Sequence, residues 1–141
     1  MPGYLLDTCA WIDALLAPER LTEEARDFIG GPEPLALSSI SLLELARKEA
    51  KGDITLRMPI GDWFDQIALP PGKIRVLPIT PEIAIDATRL PEPFVNRQGK
   101  PHKDPSDQII VATARCHNCV ILTSDRLILD FPHVRSIASR A

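Results

Sequence analysis

Short apolar runs alternate along this chain with stretches of helical periodicity. Tyr4-Leu5-Leu6, Leu35-Ala36-Leu37, Arg75-Val76-Leu77-Pro78-Ile79 and Val120-Ile121-Leu122-Thr123 read as strands, and Val134-Arg135-Ser136-Ile137 as a last one. Between them, apolar positions recur at helical spacing. Thr8 to Leu16 carries Trp11, Ile12 and Leu15 on one face, and Leu21 to Ile29 is entered by Thr22-Glu23-Glu24 and stopped by Gly30-Gly31-Pro32. Further helices are expected from Leu42 to Ala50, from Met58 to Ala68 with Trp63, Phe64 and Ile67 as its apolar face, and from Pro81 to about Leu90. Arg126 to Leu129 reads as a short helix. This alternation predicts an α/β fold, a parallel sheet between two layers of helices.

The most informative helix starts at Lys103-Asp104-Pro105-Ser106-Asp107 and continues through Gln108-Ile109-Ile110-Val111-Ala112-Thr113-Ala114. Pro105 suits the first helical position, which puts Asp104 at the N-cap. Asp107 falls in the first turn, where the helix dipole favours negative charge, and Ile110, Val111 and Ala114 keep helical spacing behind it. Asp-x-x-Asp here also resembles a capping box, and Ser41-x-x-Glu44 matches one. Capping accounts for each acid taken singly. Glu44, however, sits among Leu43, Leu45 and Ala46, and a carboxylate leaning toward a core needs a partner or a cation.

At 141 residues the chain has room for one domain, residues 1–141, with a sizeable core. No apolar stretch is long enough to span a membrane, and the N-terminal residues lack the pattern of a secretory signal, so a cytoplasmic protein is expected. The net charge of −3 argues against a broad basic surface that grips nucleic acid nonspecifically, but leaves room for a basic rim around an acidic site. Three cysteines are too few for a disulfide scaffold. Cys116-His117-Asn118-Cys119 has no second Cys or His pair to complete a zinc site; its C-x-x-C spacing also fits a redox motif, and reduced, partly buried thiols are the expectation. Pro91 to Lys103 is the one long irregular segment. Its Arg97, Lys100, His102 and Lys103 suit either a solvated loop or a basic flap beside a site.

Four acids then stand out by position. Asp7 and Asp125 end strands; Asp107 and Glu44 are expected in first turns of helices. In a parallel α/β sheet, strand carboxyl ends and helix amino ends share one edge, so all four can converge. Two carboxylates about 5 Å apart repel by roughly 3 kcal/mol at an effective dielectric of about 20. Such a cluster raises a pKa or binds a cation. Oxygen donors without a His or Cys set suit Mg²⁺ or Mn²⁺, which equips a site for phosphate chemistry.

Leu-Leu-Asp7-Thr, Ser-Leu-Leu-Glu44-Leu-Ala, His-Lys-Asp104-Pro-Ser-Asp107-Gln-Ile-Ile-Val-Ala-Thr-Ala and Leu-Thr-Ser-Asp125 together resemble the four blocks of PIN-domain nucleases, most closely the VapC toxins of prokaryotic toxin–antitoxin pairs. The resemblance covers nearly the whole chain. It implies a PIN-like three-layer fold and a Mg²⁺- or Mn²⁺-dependent endoribonuclease that cleaves RNA with a metal-activated water. It also implies a homodimer silenced by a small VapB-like antitoxin. The family's catalytic, metal-binding acids fall on Asp7, Glu44, Asp107 and Asp125, with Asp104 matching an additional acid found in a subset. Thr123 matches a polar residue near the metal, and Thr8 and Ser124 stand beside two of the acids as further supporting groups. Arg47, Lys48, Arg97, Lys100, Lys103 and Arg126 are the candidate phosphate contacts. Two departures from the pattern are a longer segment over Phe94 to Pro101 and Ser106 in place of a bulky residue. The competing reading is a catalytically silent PIN-fold module that binds RNA or antitoxin. A phosphotransfer receiver domain fits poorly, because Asp7 has no acidic neighbour and Thr123-Ser124-Asp125 offers no lysine; an Asp-x-Asp phosphatase fails at Asp7-Thr8-Cys9.

Overall fold

The computed structural model describes residues 3–69, 72–91, 94 and 104–141. Among the described residues, five strands form one sheet: β1 (Tyr4–Leu6), β2 (Leu35–Ser38), β3 (Ile74–Leu77), β4 (Val120–Thr123) and β5 (Ser136–Ala138). Their order is β3-β2-β1-β4-β5, and every pairing is parallel. The expected "mainly parallel" sheet is therefore parallel throughout. Between the strands lie α1 (Thr8–Leu16), α2 (Glu23–Gly30), α3 (Ser39–Ala50), α4 (Ile60–Trp63), α5 (Pro81–Thr88), α6 (Pro105–His117) and α7 (Arg126–Leu129).

Strand register explains why the strands are apolar at consecutive positions rather than alternate ones. Leu5 pairs with Ala36 on one side and Ile121 on the other, while Leu6 pairs with Leu37 and Leu122. The first row faces a core built with Ile110, Val111 and Ala114 of α6, together with Phe94, Ile128 and Phe131. The second row faces Ala10 and Trp11 of α1, Leu45 of α3, and Trp63 and Ala68. A parallel sheet covered on both faces needs both rows apolar. A third cluster, Ile83, Ala87 and Ala112, seats α5 on α6, and Arg115 of α6 grips Asp86 of α5 through Nε at 2.9 Å.

Element boundaries follow local capping chemistry. Thr22 and Thr80 cap α2 and α5 by accepting from Ala25 N and Ile83 N. Asp104 caps α6 by accepting from Ser106 N, with Pro105 at the first position. That helix ends at Asn118 in the left-handed region (φ 55°), a conformation asparagine tolerates. Cys116 and Cys119 thus straddle a helix end, and all three cysteines are unpaired thiols. Two expectations need correction. The expected Met58–Ala68 helix begins only at Ile60, after Pro59, and its second half, Phe64–Ala68, winds as a π-helix. The helix holding Glu44 starts at Ser39, capped by Ser38, and not at Leu42 behind a Ser41 cap. Of the Pro91–Lys103 segment, Phe94 is buried against Phe131, with ring centroids 4.8 Å apart; apart from Pro91 and Phe94, the segment lies outside the described residues. No helix among the described residues is long and apolar enough to cross a membrane.

Leu6 is fully buried one residue before Asp7, at the centre of the sheet. Truncating it removes contacts from both neighbouring strands and from Trp11. Leu6→Ala is expected to cost about 3 kcal/mol, seen as a lower urea midpoint. An unchanged midpoint would contradict this account of the core.

Candidate functional site

The order β3-β2-β1-β4-β5 places β1 between the strand that follows it and a strand that returns on its other side. The chain leaves β1 toward β2 and β3, then comes back to β4. Sheets of this kind open a crevice at that reversal, beyond the carboxyl ends of the strands. Asp7 follows β1, and Ser124-Asp125 follow β4. Backbone bonding joins the two strand ends directly, since Asp7 N donates to Leu122 O at 3.1 Å.

A cleft of about 350 Å³ lies here, lined by Asp7, Glu44, Asp107 and Asp125, with Ile12 and Ile110 among its apolar walls. The four acids come from four separate elements: the β1–α1 junction, α3, α6 and the β4–α7 junction. Asp107 reaches the cleft from the first turn of α6 because Ile110, one turn on, is buried and fixes which face of the helix turns inward.

Asp7 is only 5% exposed. Its Oδ1 accepts from Ala10 N at 2.8 Å, which caps α1, and its Oδ2 accepts from the Thr123 hydroxyl. Thr123 in turn accepts from Asp125 N at 3.0 Å, so one hydroxyl ties the two strand-end acids together. Asp125 caps α7 through a single oxygen, accepting from Leu127 N at 2.9 Å. Capping and clustering are therefore not alternatives here; the cap bonds aim the carboxylates.

Glu44 is held differently. Its Oε1 accepts from the Thr8 hydroxyl. Thr8 has one proton to give, so Ser41, 2.8 Å away, is the donor to Thr8 Oγ1. The chain Ser41→Thr8→Glu44 bridges α3 to α1. Ser41 and Glu44 do not form the expected capping box. Both lie inside α3, past its first residues, and Glu44 is in the second turn instead of the first. One turn apart, they share the face that meets α1.

The remaining expected residues divide. Ser124 lines the cleft and donates to Cys9 Sγ at 3.6 Å. Lys48 lines the cleft as well; Arg47 and Arg126 are exposed and do not. Arg126 instead lies 4.0 Å from Asp130 along α7, with both side chains well exposed. Arg97, Lys100 and Lys103 fall outside the described residues. Asp104 is exposed, caps α6 and does not line the cleft. Sequence reasoning passed over Arg20, Asp53, Asp13 and Arg140, which also line it. Asp13 carried one local hint, an acid within the apolar run Trp11-Ile12-Asp13-Ala14-Leu15.

Burial raises the Asp7 pKa from 3.8 to about 6, and the charges of Asp125 and Glu44 push the same way, while the Thr123 and Ala10 bonds resist. Among the described residues, no three acidic, histidine or cysteine side chains converge closely enough to cage an ion. The four carboxylates line one cleft without closing on a common point. Mg²⁺, which takes one or two carboxylates and keeps several waters, would fit such donors better than a cation that needs a closed cage.

The Asp7 shift has a definite sign. A folded-state pKa of about 6 against 3.8 means the metal-free fold is favoured with Asp7 protonated, and this contribution is lost as pH rises through about 6. Carrying the charge at neutral pH costs on the order of 3 kcal/mol. In EDTA, Asp7→Asn is expected to unfold at higher urea than the unsubstituted chain at pH 7.5, with the gap shrinking toward pH 4. A gap independent of pH would contradict this.

Known proteins place the chain independently of this geometry. The PIN domain family model matches residues 4–134. The chain is 33% identical over 139 residues to Ribonuclease VapC22 of Mycobacterium tuberculosis, covering 97% of this chain and 98% of that protein. Its fold is similar to VapBC2 from Rickettsia felis bound to a DNA fragment from their promoter, with a TM-score of 0.68 at 16% identity over 96% of this chain and 98% of that one. It is also similar to FitAcB from Neisseria gonorrhoeae, with a TM-score of 0.67 at 22% identity over 95% and 96% of the two chains. The chain belongs to the PIN-domain family and is VapC-like within it.

Proposed function

We propose that this chain is a divalent-metal-dependent endoribonuclease, the toxin of a type II toxin–antitoxin pair, and that residues 1–141 act as one domain with one site. The carrying observation is that Asp7, Glu44, Asp107 and Asp125, from four elements, ring one cleft at the reversal point of a parallel sheet. The similarity to the VapC22 ribonuclease supports the reaction class, and likeness to toxin–antitoxin complexes supports the partner.

In this reading Asp7, Glu44, Asp107 and Asp125 would hold Mg²⁺ or Mn²⁺ directly or through water. The ion would supply Lewis acidity toward the phosphodiester and would acidify an attacking water. Thr123 keeps Asp7 oriented and joined to Asp125, and Thr8, backed by Ser41, orients Glu44. Ile12 and Ile110 keep the inner wall of the cleft apolar. The cleft is more acidic than basic, so a basic segment of a small antitoxin fits it as a plug. A helix-capping role alone would not gather the acids at one opening.

Purified protein is expected to cut single-stranded RNA with Mg²⁺ or Mn²⁺ and to stop in EDTA. Asp7→Asn and Asp107→Asn should each lower the rate by about 100-fold or more, and Thr123→Val, which removes a supporting bond, by roughly 10–100-fold. Cleavage by Asp7→Asn at the rate of the unsubstituted chain would remove the mechanism.

A further inference from the structure

Asp13 lies within α1, on the same cleft as Asp7, with its side chain 2% exposed. Both of its oxygens are taken by one residue: Arg140 donates from Nε at 2.7 Å and from Nη2 at 2.9 Å. Leaving a buried carboxylate unpaired is strongly destabilising, so the pair fastens the segment after β5 onto α1. Two N–H groups suffice for that. A guanidinium carries five, and the Arg140 side chain is 36% exposed where it lines the cleft, within the field of Asp7.

Among the described residues, the cleft has two other cations, Arg20 and Lys48. Both are exposed, and neither makes an ion pair to an acid among the described residues. Arg140 alone of the three is fixed by a buried partner. A phosphodiester entering a ring of carboxylates is repelled except where a cation stands. A cation already locked in place loses little freedom on binding it, and a planar fork with one edge on Asp13 still presents its other edge.

We infer that Arg140 is a substrate-contacting residue, whose N–H groups not engaged by Asp13 bind a backbone phosphate of the RNA, with Asp13 as the positioning residue that sets the guanidinium plane. This rests on the endoribonuclease reading above. It extends the site beyond the four acids to the segment that follows β5.

The test is fluorescence anisotropy of a fluorescein-labelled single-stranded RNA of mixed sequence, in EDTA so that the strand stays whole, across a KCl series. Each phosphate contact on a single strand adds about 0.7 to the slope of log Kd against log salt. Arg140→Gln is expected to lower that slope by about 0.7 and to weaken binding about 10-fold. Arg140→Lys keeps the charge but loses the fork, so the slope should hold while Kd rises several-fold. Asp13→Asn should likewise keep the slope and, with Mg²⁺ present, lower kcat/KM. An unchanged slope and Kd in Arg140→Gln, with only a lower melting temperature, overturns the proposal and leaves a purely structural pair. If Arg140→Gln does not fold, Arg140→Lys decides, and an unchanged Kd there overturns it. Failure of the unsubstituted chain to cleave RNA with Mg²⁺ or Mn²⁺ overturns the endoribonuclease reading itself, and failure to bind the labelled strand in EDTA overturns the Arg140 proposal alone.

Discussion

A carboxylate that is 5% exposed, one residue past the central strand, sets the terms for everything around it. Asp7 is placed there by the sheet: β1 is buried on both faces and flanked on both edges, so the residue after it has nowhere to go but the mouth of the crevice. Desolvation and the neighbouring Asp125 and Glu44 make its charge unfavourable. What offsets this within the protein is small, an N–H from Ala10 and a hydroxyl from Thr123. The fold thus holds a site strained by charge.

Three supports keep that strain from pulling the site apart. Thr123 spans Asp7 and the Asp125 backbone, locking the two strand ends. Ser41 and Thr8 bridge α3 to α1 and orient Glu44. Arg140 neutralises Asp13, which would otherwise add another uncompensated charge to α1. Each support crosses between elements, so the acids cannot separate without breaking a buried polar contact. The packing of Ile110 and Val111 against the sheet does the same for Asp107 by fixing the roll of α6.

Much of this was legible because local and global signals agree. The limits of α1 at Thr8 and Leu16, the Asp104–Pro105 start of α6 and the run of β4 follow from periodicity and cap chemistry that the packing reinforces. The convergence of Asp7, Glu44, Asp107 and Asp125 followed from one rule about parallel sheets. Three features did not follow. Ser38, Ser39 and Ser41 are all competent caps; Ser38 takes the role, and Ser41 bonds Thr8 instead. Pro59 delays the helix expected from Met58, and tertiary packing around Trp63 and Ala68 accompanies its π winding. The Asp13–Arg140 pair joins residues 127 positions apart, a distance no local pattern spans.

The proposal that these carboxylates hold a divalent cation has a direct test. Isothermal titration of the metal-free protein with Mn²⁺ at pH 7.5 measures that directly, without RNA and without turnover. Saturable binding that is lost in Asp7→Asn is expected. A flat titration, or identical binding by Asp7→Asn, would contradict it.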